Sequence, residues 1–159
     1  MKPKVYIFDI DDTVIIHTRN KYNIYNMNSD TELKKLINTS DQIETYIYTN
    51  GTYGHAYGVL DNLDMNPITN DIFARDNIPY MKPLDKSFDH VNKIVTNYGK
   101  RELDIYFFDD MIENLLTANK FGWKTIWISF DFLKKPSFID YAFPNIYDAL
   151  IYFKSIEGQ

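Results

Sequence analysis

The chain has 159 residues, 45% of them hydrophobic and 16% aromatic, which is enough apolar side chain to bury a core and excludes a disordered chain. A net charge of −5 argues against a general electrostatic nucleic-acid binder, and the lack of cysteine excludes disulfides, thiolate metal sites and thiol nucleophiles. No apolar run approaches the ~20 residues that span a bilayer, and Met1-Lys2-Pro3-Lys4 leaves no room for a signal peptide, so one soluble cytoplasmic domain over 1–159 is the expectation.

Residues 4–9 read as a buried strand through the apolar run Val5-Tyr6-Ile7-Phe8, ending in Asp9-Ile10-Asp11-Asp12-Thr13. Carboxylates at i and i+2 share one side if the strand continues. If the chain turns instead, both can face one pocket at the carboxyl end of a parallel sheet. Alone, the stretch reads equally well as an acidic turn. Ser29-Asp30-Thr31-Glu32 is a capping box opening a helix that carries Leu33, Leu36 and Ile37. Ile43 to Thr49 is a second strand, and residues 52–63 a helix weakened by Gly54 and Gly58. Ile72-Phe73-Ala74 is a short third strand. Asp85 to Tyr98 has apolar residues at 88, 91, 94 and 95, the spacing of an amphipathic helix closed by Gly99. Leu103 to Phe108 is a fourth strand, 112–121 a helix ended by Gly122, Thr125 to Ile128 a fifth strand, and 145–156 a closing helix.

This alternation predicts an α/β protein: a three-layer αβα, Rossmann-like fold around a five-stranded parallel sheet. Residues 14–28 and 129–144 are the long irregular stretches, placed to carry substrate contacts. The candidate residues then fall at strand ends: Asp9 after the first, Thr49 after the second, Asp109 and Asp110 after the fourth.

Four elements line up in order: Asp9-x-Asp11-x-Thr13, Thr49-Asn50-Gly51, Met81-Lys82-Pro83, and Phe107-Phe108-Asp109-Asp110 followed by Glu113-Asn114. Together, over roughly residues 4–128, they resemble the four motifs of the haloacid dehalogenase (HAD) superfamily of phosphatases. Within it, Thr49-Asn50-Gly51 with His55-Ala56, Lys82-Pro83, the Phe-Phe-Asp-Asp block and Gly122-Trp123-Lys124-Thr125 resemble the pyrimidine 5′-nucleotidase type. The overall size and Asn114 are similar to the magnesium-dependent phosphatase-1 proteins. The resemblance implies a HAD-like fold, a Mg²⁺ cofactor, and a phosphorylated substrate, with small phosphomonoesters such as nucleoside monophosphates first among them.

The chemistry of each element fits that role. A carboxylate nucleophile facing a phosphoryl group needs a cation to screen the repulsion, and Mg²⁺ does so through oxygen ligands. Asp9 would attack phosphorus and form an aspartyl-phosphate. Asp11 would protonate the leaving oxygen and later activate water, and the resemblance makes its backbone carbonyl a metal ligand. Thr49 would bind a phosphate oxygen with the backbone N–H groups of Asn50 and Gly51. Lys82 would neutralise the nucleophile and the transferring group. The metal set is then Asp9, Asp11 and Asp110, with Asp109 as Asp110's rival or its supporting partner. Taken singly, Thr49-Asn50-Gly51 is a turn, Lys82-Pro83 a surface lysine before a helix, and Asp109-Asp110 with Glu113 an acidic helix start. Asn114 stands where many relatives carry an acid, and Asp12 where many carry glycine.

His17, His55 and His90 have no metal spacing. His90 is expected on the solvent side of its helix, and His55 in helix packing rather than catalysis. His17, Tyr22 and Tyr25 lie in the segment after the first motif, where they could touch substrate. Only 35 residues separate Thr13 from Thr49 and 32 separate Thr49 from Lys82, each gap already holding a helix and a strand, so neither has room for a cap domain. An open site implies a lid made by loops 14–28 and 129–144, or by the second subunit of a homodimer. It also leaves open a macromolecular substrate, a phosphoprotein or a polynucleotide 3′-phosphate. A non-catalytic binding module is the remaining alternative.

Overall fold

A computed structural model of the protein describes residues 2–15, 31–37 and 43–157. The elements are β1 (Lys4–Phe8), α1 (Thr31–Ile37), β2 (Glu44–Tyr48), α2 (Tyr53–Asn62), β3 (Asp71–Phe73), α3 (Asp85–Val95), β4 (Asp104–Asp109), α4 (Ile112–Lys120), β5 (Lys124–Ile128), β6 (Tyr141–Phe143) and α5 (Ile146–Glu157). His17, Tyr22, Tyr25 and the Ser29-Asp30 start of the capping box lie outside the described residues. Among the described residues, no helix is long and apolar enough to cross a membrane.

The strands form one parallel sheet in the order β3-β2-β1-β4-β5-β6. The chain builds outward from β1 through β2 and β3, then returns to the other side of β1 for β4. The order therefore reverses between β1 and β4, which is where an open α/β sheet leaves a crevice at its carboxyl edge.

Both faces of the sheet are covered, which is why its strands read as apolar runs. Tyr6 and Phe8 point to a layer that includes Ile47, Leu33 of α1, Val59 and Leu60 of α2, and Phe153 of α5. Val5 and Ile7 point the other way, with Tyr48, Phe107, Phe88 and Val91 of α3 and Leu115 of α4. The aromatic wealth is spent here. Phe8 packs on Phe108 at 4.6 Å between centroids, and Phe153 sets its edge against Tyr106 and Tyr141 at 5.3 and 5.1 Å. Such offset and edge-on pairs add to plain area burial.

The sheet has six strands where the sequence predicts five. The additional one, β6, lies inside the stretch 129–144 expected to be irregular. At three half-buried residues it is too short to show strand alternation. Its pairing with β5 is anchored by a side chain: Asp140 accepts from the Thr125 N–H (2.9 Å) and hydroxyl (3.2 Å), while its own N–H donates to Thr125 Oγ1 (3.0 Å). Helix α3 stops at Val95, three residues before its predicted end, because Asn97 (φ 50°), Tyr98 (56°) and Gly99 (80°) turn left-handed in succession.

The chain leaves β1 through a tight loop. The N–H groups of Thr13, Val14 and Ile15 all point at the Ile10 carbonyl, at 3.3, 3.0 and 3.2 Å, and Asp12 sits at φ 60°. The strand thus ends at Phe8 and the chain turns. Asp9 and Asp11 converge by a bend and not by alternation. An L-residue with a Cβ is penalised at such a φ, and Asp tolerates it better than most. Asp12→Gly should therefore be more stable than Asp12→Ala by about 1 kcal/mol, read as the difference in urea midpoints. Equal midpoints would remove the left-handed constraint at this loop.

Candidate functional site

Strand parity decides which acids are buried. Asp9 continues the series Val5, Ile7 toward the α3/α4 layer, and Asp109 continues Phe107 toward the same layer. The Asp9 N–H donates to the Phe108 carbonyl (2.9 Å), which locks the two strand ends side by side. Two carboxylates thus meet in the interior, and Lys82 enters between them from the loop ahead of α3. Its Nζ donates to Asp109 Oδ2 (2.7 Å), Asp9 Oδ1 (3.2 Å) and the Tyr48 carbonyl (2.8 Å). The Lys82 side chain is 1% exposed and that of Asp109 is 0%. The ammonium also lies 5.0 and 5.4 Å from the ring centres of Tyr48 and Phe107, an aromatic bed that favours a desolvated cation.

This placement has a reason in the neighbouring loop. The Asn50 side chain accepts from the Lys82 N–H (2.9 Å) and donates to the Lys82 carbonyl (3.0 Å), a two-bond staple that fixes where the lysine departs from the backbone. Sequence reasoning assigned Asn50 only its backbone N–H. Thr49 Oγ1 accepts from the Gly51 N–H (3.0 Å), which leaves its own hydroxyl proton to donate elsewhere. Thr13 donates to Asp9 Oδ2 (3.2 Å), so each oxygen of Asp9 has a donor.

Asp109 and Asp110 divide their work. Asp109 Oδ1 accepts from the Met111 N–H (2.8 Å), while its Oδ2 accepts from Lys82 and from Asn114 Nδ2 (3.1 Å). Both of its oxygens are committed to holding other groups. Asn114, on the first turn of α4, is the neutral donor that satisfies a buried carboxylate; an acid there would meet Asp109 head-on. Asp110, one residue beyond, breaks from strand parity and lines the cavity.

One oxygen from each of Asp9, Asp109 and Asp110 falls within 4.8 Å of the others. Burial, and then repulsion by Asp109, push the Asp9 carboxyl well above the usual carboxylate range despite Lys82. Burial likewise pushes Asp110 up to about 6, with Asp109 adding to the rise. Burial alone would pull Lys82 down, but Asp109 and Asp9 more than offset it and hold its ammonium above the ordinary lysine range. One cation therefore sits among three acids, a deficit that a divalent ion with oxygen ligands would fill. Asp9 and Asp110 are the pair placed to hold it, since both line the cavity while the Asp109 side chain is fully buried behind Lys82.

The remaining wall comes from the other layer. Asp11, Asp12, Thr49, Asn50 and Gly51 line the same cavity of about 210 Å³ with Asp9, Lys82 and Asp110. Every predicted site residue except Asp109 borders it, and Asp109 lies behind Lys82. His55 departs from its expected packing role: its Nε2 lies 3.0 Å from Asp11 Oδ1. Nothing in its spacing revealed this, because Asp11 lies 44 positions away. His90 is half-buried on α3 and outside the cavity lining.

No protein-family model and no curated protein sequence matches the chain. Solved structures do. The candidate HAD hydrolase YfnB from Bacillus subtilis, bound to magnesium, aligns over 98% of this chain and 100% of its own with TM-score 0.67 and 16% identity. The core domain of a candidate phosphoglycolate phosphatase from Streptococcus pneumoniae aligns over 98% of both chains, with TM-score 0.65 and 18% identity. L-2-haloacid dehalogenase from Xanthobacter autotrophicus aligns over 84% of this chain and 64% of its own, with TM-score 0.61 and 12% identity. The architecture is thus the HAD-like fold.

A carboxyl whose folded pKa exceeds its unfolded value stabilises the fold fully only below the unfolded value, near 3.8 for Asp110; that contribution is lost as pH rises through about 6. In chelator at pH 8, Asp110→Asn should therefore melt above the wild type by about 2–4 °C, a shift that reflects ~1 kcal/mol after discounting for partial exposure. The gap should shrink as pH falls from 7 to 4. Adding Mg²⁺ at pH 8 should raise the wild type and leave Asp110→Asn nearly unchanged. Equal melting of the two proteins at pH 8 in chelator would show that the acids are not crowded.

Proposed function

We propose that this chain, which has the fold of the HAD hydrolases, is a Mg²⁺-dependent phosphomonoesterase working through an aspartyl-phosphate at Asp9. The observation that carries this reading is the pairing of Asp9 with Lys82 beside a second carboxylate, Asp110, that has no cation of its own among the described residues. A magnesium ion held by Asp9, Asp110 and the Asp11 carbonyl would screen the charge of nucleophile and phosphoryl group when bound.

The chain's own groups do the rest. Lys82 and Thr13 hold the two oxygens of Asp9 in place, and one oxygen forms a bond to phosphorus as the bond to the leaving oxygen breaks. Asp11 gives its proton to that oxygen. A water then attacks the aspartyl-phosphate phosphorus, losing its proton to Asp11; the bond to Asp9 breaks and inorganic phosphate leaves. The Thr49 hydroxyl holds a phosphoryl oxygen through both steps, while the Lys82 ammonium, its three N–H groups engaged, offsets the phosphoryl charge from behind Asp9.

The cavity among the described residues is smaller than the ~300–1,000 Å³ typical of sites that enclose a drug-sized ligand. It suits the phosphoryl group and its nearest atoms, and substrate choice then falls to the rim. Small phosphomonoesters, nucleoside monophosphates among them, are the proposed substrates. Between Thr49 and Lys82 the described chain holds only α2, a short 3-10 turn and β3, in keeping with a site without a cap. Dehalogenation is disfavoured, because that chemistry requires neither Asp11 nor a metal.

The test is phosphate release from nucleotides, sugar phosphates, phosphopeptides and 3′-phosphorylated oligonucleotides, with Mg²⁺ and with chelator. Release should require Mg²⁺, favour nucleoside monophosphates and vanish in Asp9→Asn; near-normal turnover by that variant would remove Asp9 as nucleophile. Asp11→Asn should slow an alkyl phosphate by about 10²–10⁴-fold and 4-nitrophenyl phosphate much less, because the better leaving group needs little protonation. Equal losses on the two would count against Asp11 as the acid.

A further inference from the structure

The candidate nucleophile and the candidate acid are held from opposite sides of the sheet. Asp9 takes its donors from Lys82 and Thr13, whereas Asp11 is reached by His55 on the first turn of α2. The local sequence builds that reach. Thr52 caps α2 in an extended conformation, and its Oγ1 accepts from the His55 N–H (3.2 Å), which pins the histidine backbone at the helix start. Gly51 then clears the path. A Cβ there would come within 3.3 Å of Thr49 Oγ1, 3.4 Å of the His55 ring and 3.9 Å of Asp11 Oδ2. With that space open, His55 Nε2 meets Asp11 Oδ1 at 3.0 Å, with the histidine side chain 20% exposed and the carboxyl 39%.

We infer that His55 is a positioning residue for Asp11, setting the plane of its carboxyl toward the leaving oxygen of a phosphomonoester. The inference rests on the phosphatase reading above. A partly exposed pair of this kind contributes little to stability. Orientation is where it counts. Proton transfer needs the acid within about 2.6–3.2 Å of the oxygen it serves, and a misplacement of ~1 Å can slow a step by as much as 10²-fold. Without His55, the Asp11 carboxyl, on a loop at the mouth of the cavity, loses a contact that fixes its plane.

The experiment compares kcat/KM for an alkyl phosphate and for 4-nitrophenyl phosphate, with Mg²⁺, in wild type and His55 variants. This ratio reports steps up to leaving-group departure, where Asp11 acts as acid. His55→Ala should lose about 10-fold on the alkyl phosphate and less than about 3-fold on the nitrophenyl ester. His55→Gln, whose amide nitrogen can take the Nε2 position, should recover most of the loss. His55→Asn, which reaches only as far as Nδ1, should not. In an Asp11→Asn background His55→Ala should cause no further loss, because a residue acting through Asp11 has nothing left to orient.

Equal losses on both esters, full activity in His55→Ala, or additive losses in the double variant would overturn the inference while leaving the phosphatase reading intact. If His55→Ala does not fold, the contrast between Gln and Asn decides in its place, and equal rates for those two would overturn it. A wild type that releases phosphate from neither ester would defeat the phosphatase reading, and this inference with it.

Discussion

The site depends on one buried cation. Lys82 Nζ joins Asp109, Asp9 and the Tyr48 carbonyl at 2.7, 3.2 and 2.8 Å, bringing the ends of β4, β1 and β2 to one point. Charges this deep carry a desolvation penalty, offset only when geometry and hydrogen bonding are nearly complete. Here they are: Asp109 has donors on both oxygens, Tyr48 and Phe107 supply a polarisable bed, and Asn50 fixes the lysine's backbone from both sides. The energy that holds the strand ends together is therefore the same energy that aims the lysine.

The balance of charge around that lysine is left incomplete. Three carboxylates gather around a single ammonium, and burial, with repulsion by Asp109 adding to it, raises the pKa values of Asp9 and Asp110. A purely structural ion cluster would be expected to neutralise itself. This one keeps acidic oxygens at the cavity wall, where the proposed magnesium ion and phosphoryl group would complete it.

Two layers of the fold share the work. Val5-Ile7-Asp9 parity commits the nucleophile candidate to the α3/α4 layer, and the loop from Ile10 to Ile15, with Asp12 left-handed, throws Asp11 toward α2. The two acids are only two residues apart yet answer to different supports. One is locked by a lysine in the interior, while the other, partly exposed, meets His55 of α2.

Much of this was legible in the chain. Buried parallel strands betray themselves as short apolar runs, and Asp9, Thr49 and Asp110 follow such runs closely, so the αβα layering and their gathering at one edge could be read without coordinates. Lys82 joined them only through the resemblance to the HAD motifs. Local chemistry also marked the Gly122 helix end, while the stretch after Phe8 could be read either as more strand or as a turn. The sixth strand could not be read, since three half-buried residues carry no period and the pairing depends on Asp140 meeting Thr125, 15 positions away. Nor could the division between Asp109 and Asp110, the Asn50 staple or the His55–Asp11 contact. Those are set by which side chains from distant segments arrive at a given strand end, and sequence spacing holds no record of that. Periodicity and turn chemistry are properties of neighbours along the chain, so the sequence by itself determined the elements and the candidate acids; partnership is a property of neighbours in space, and only the packed sheet and its two helical layers decided it.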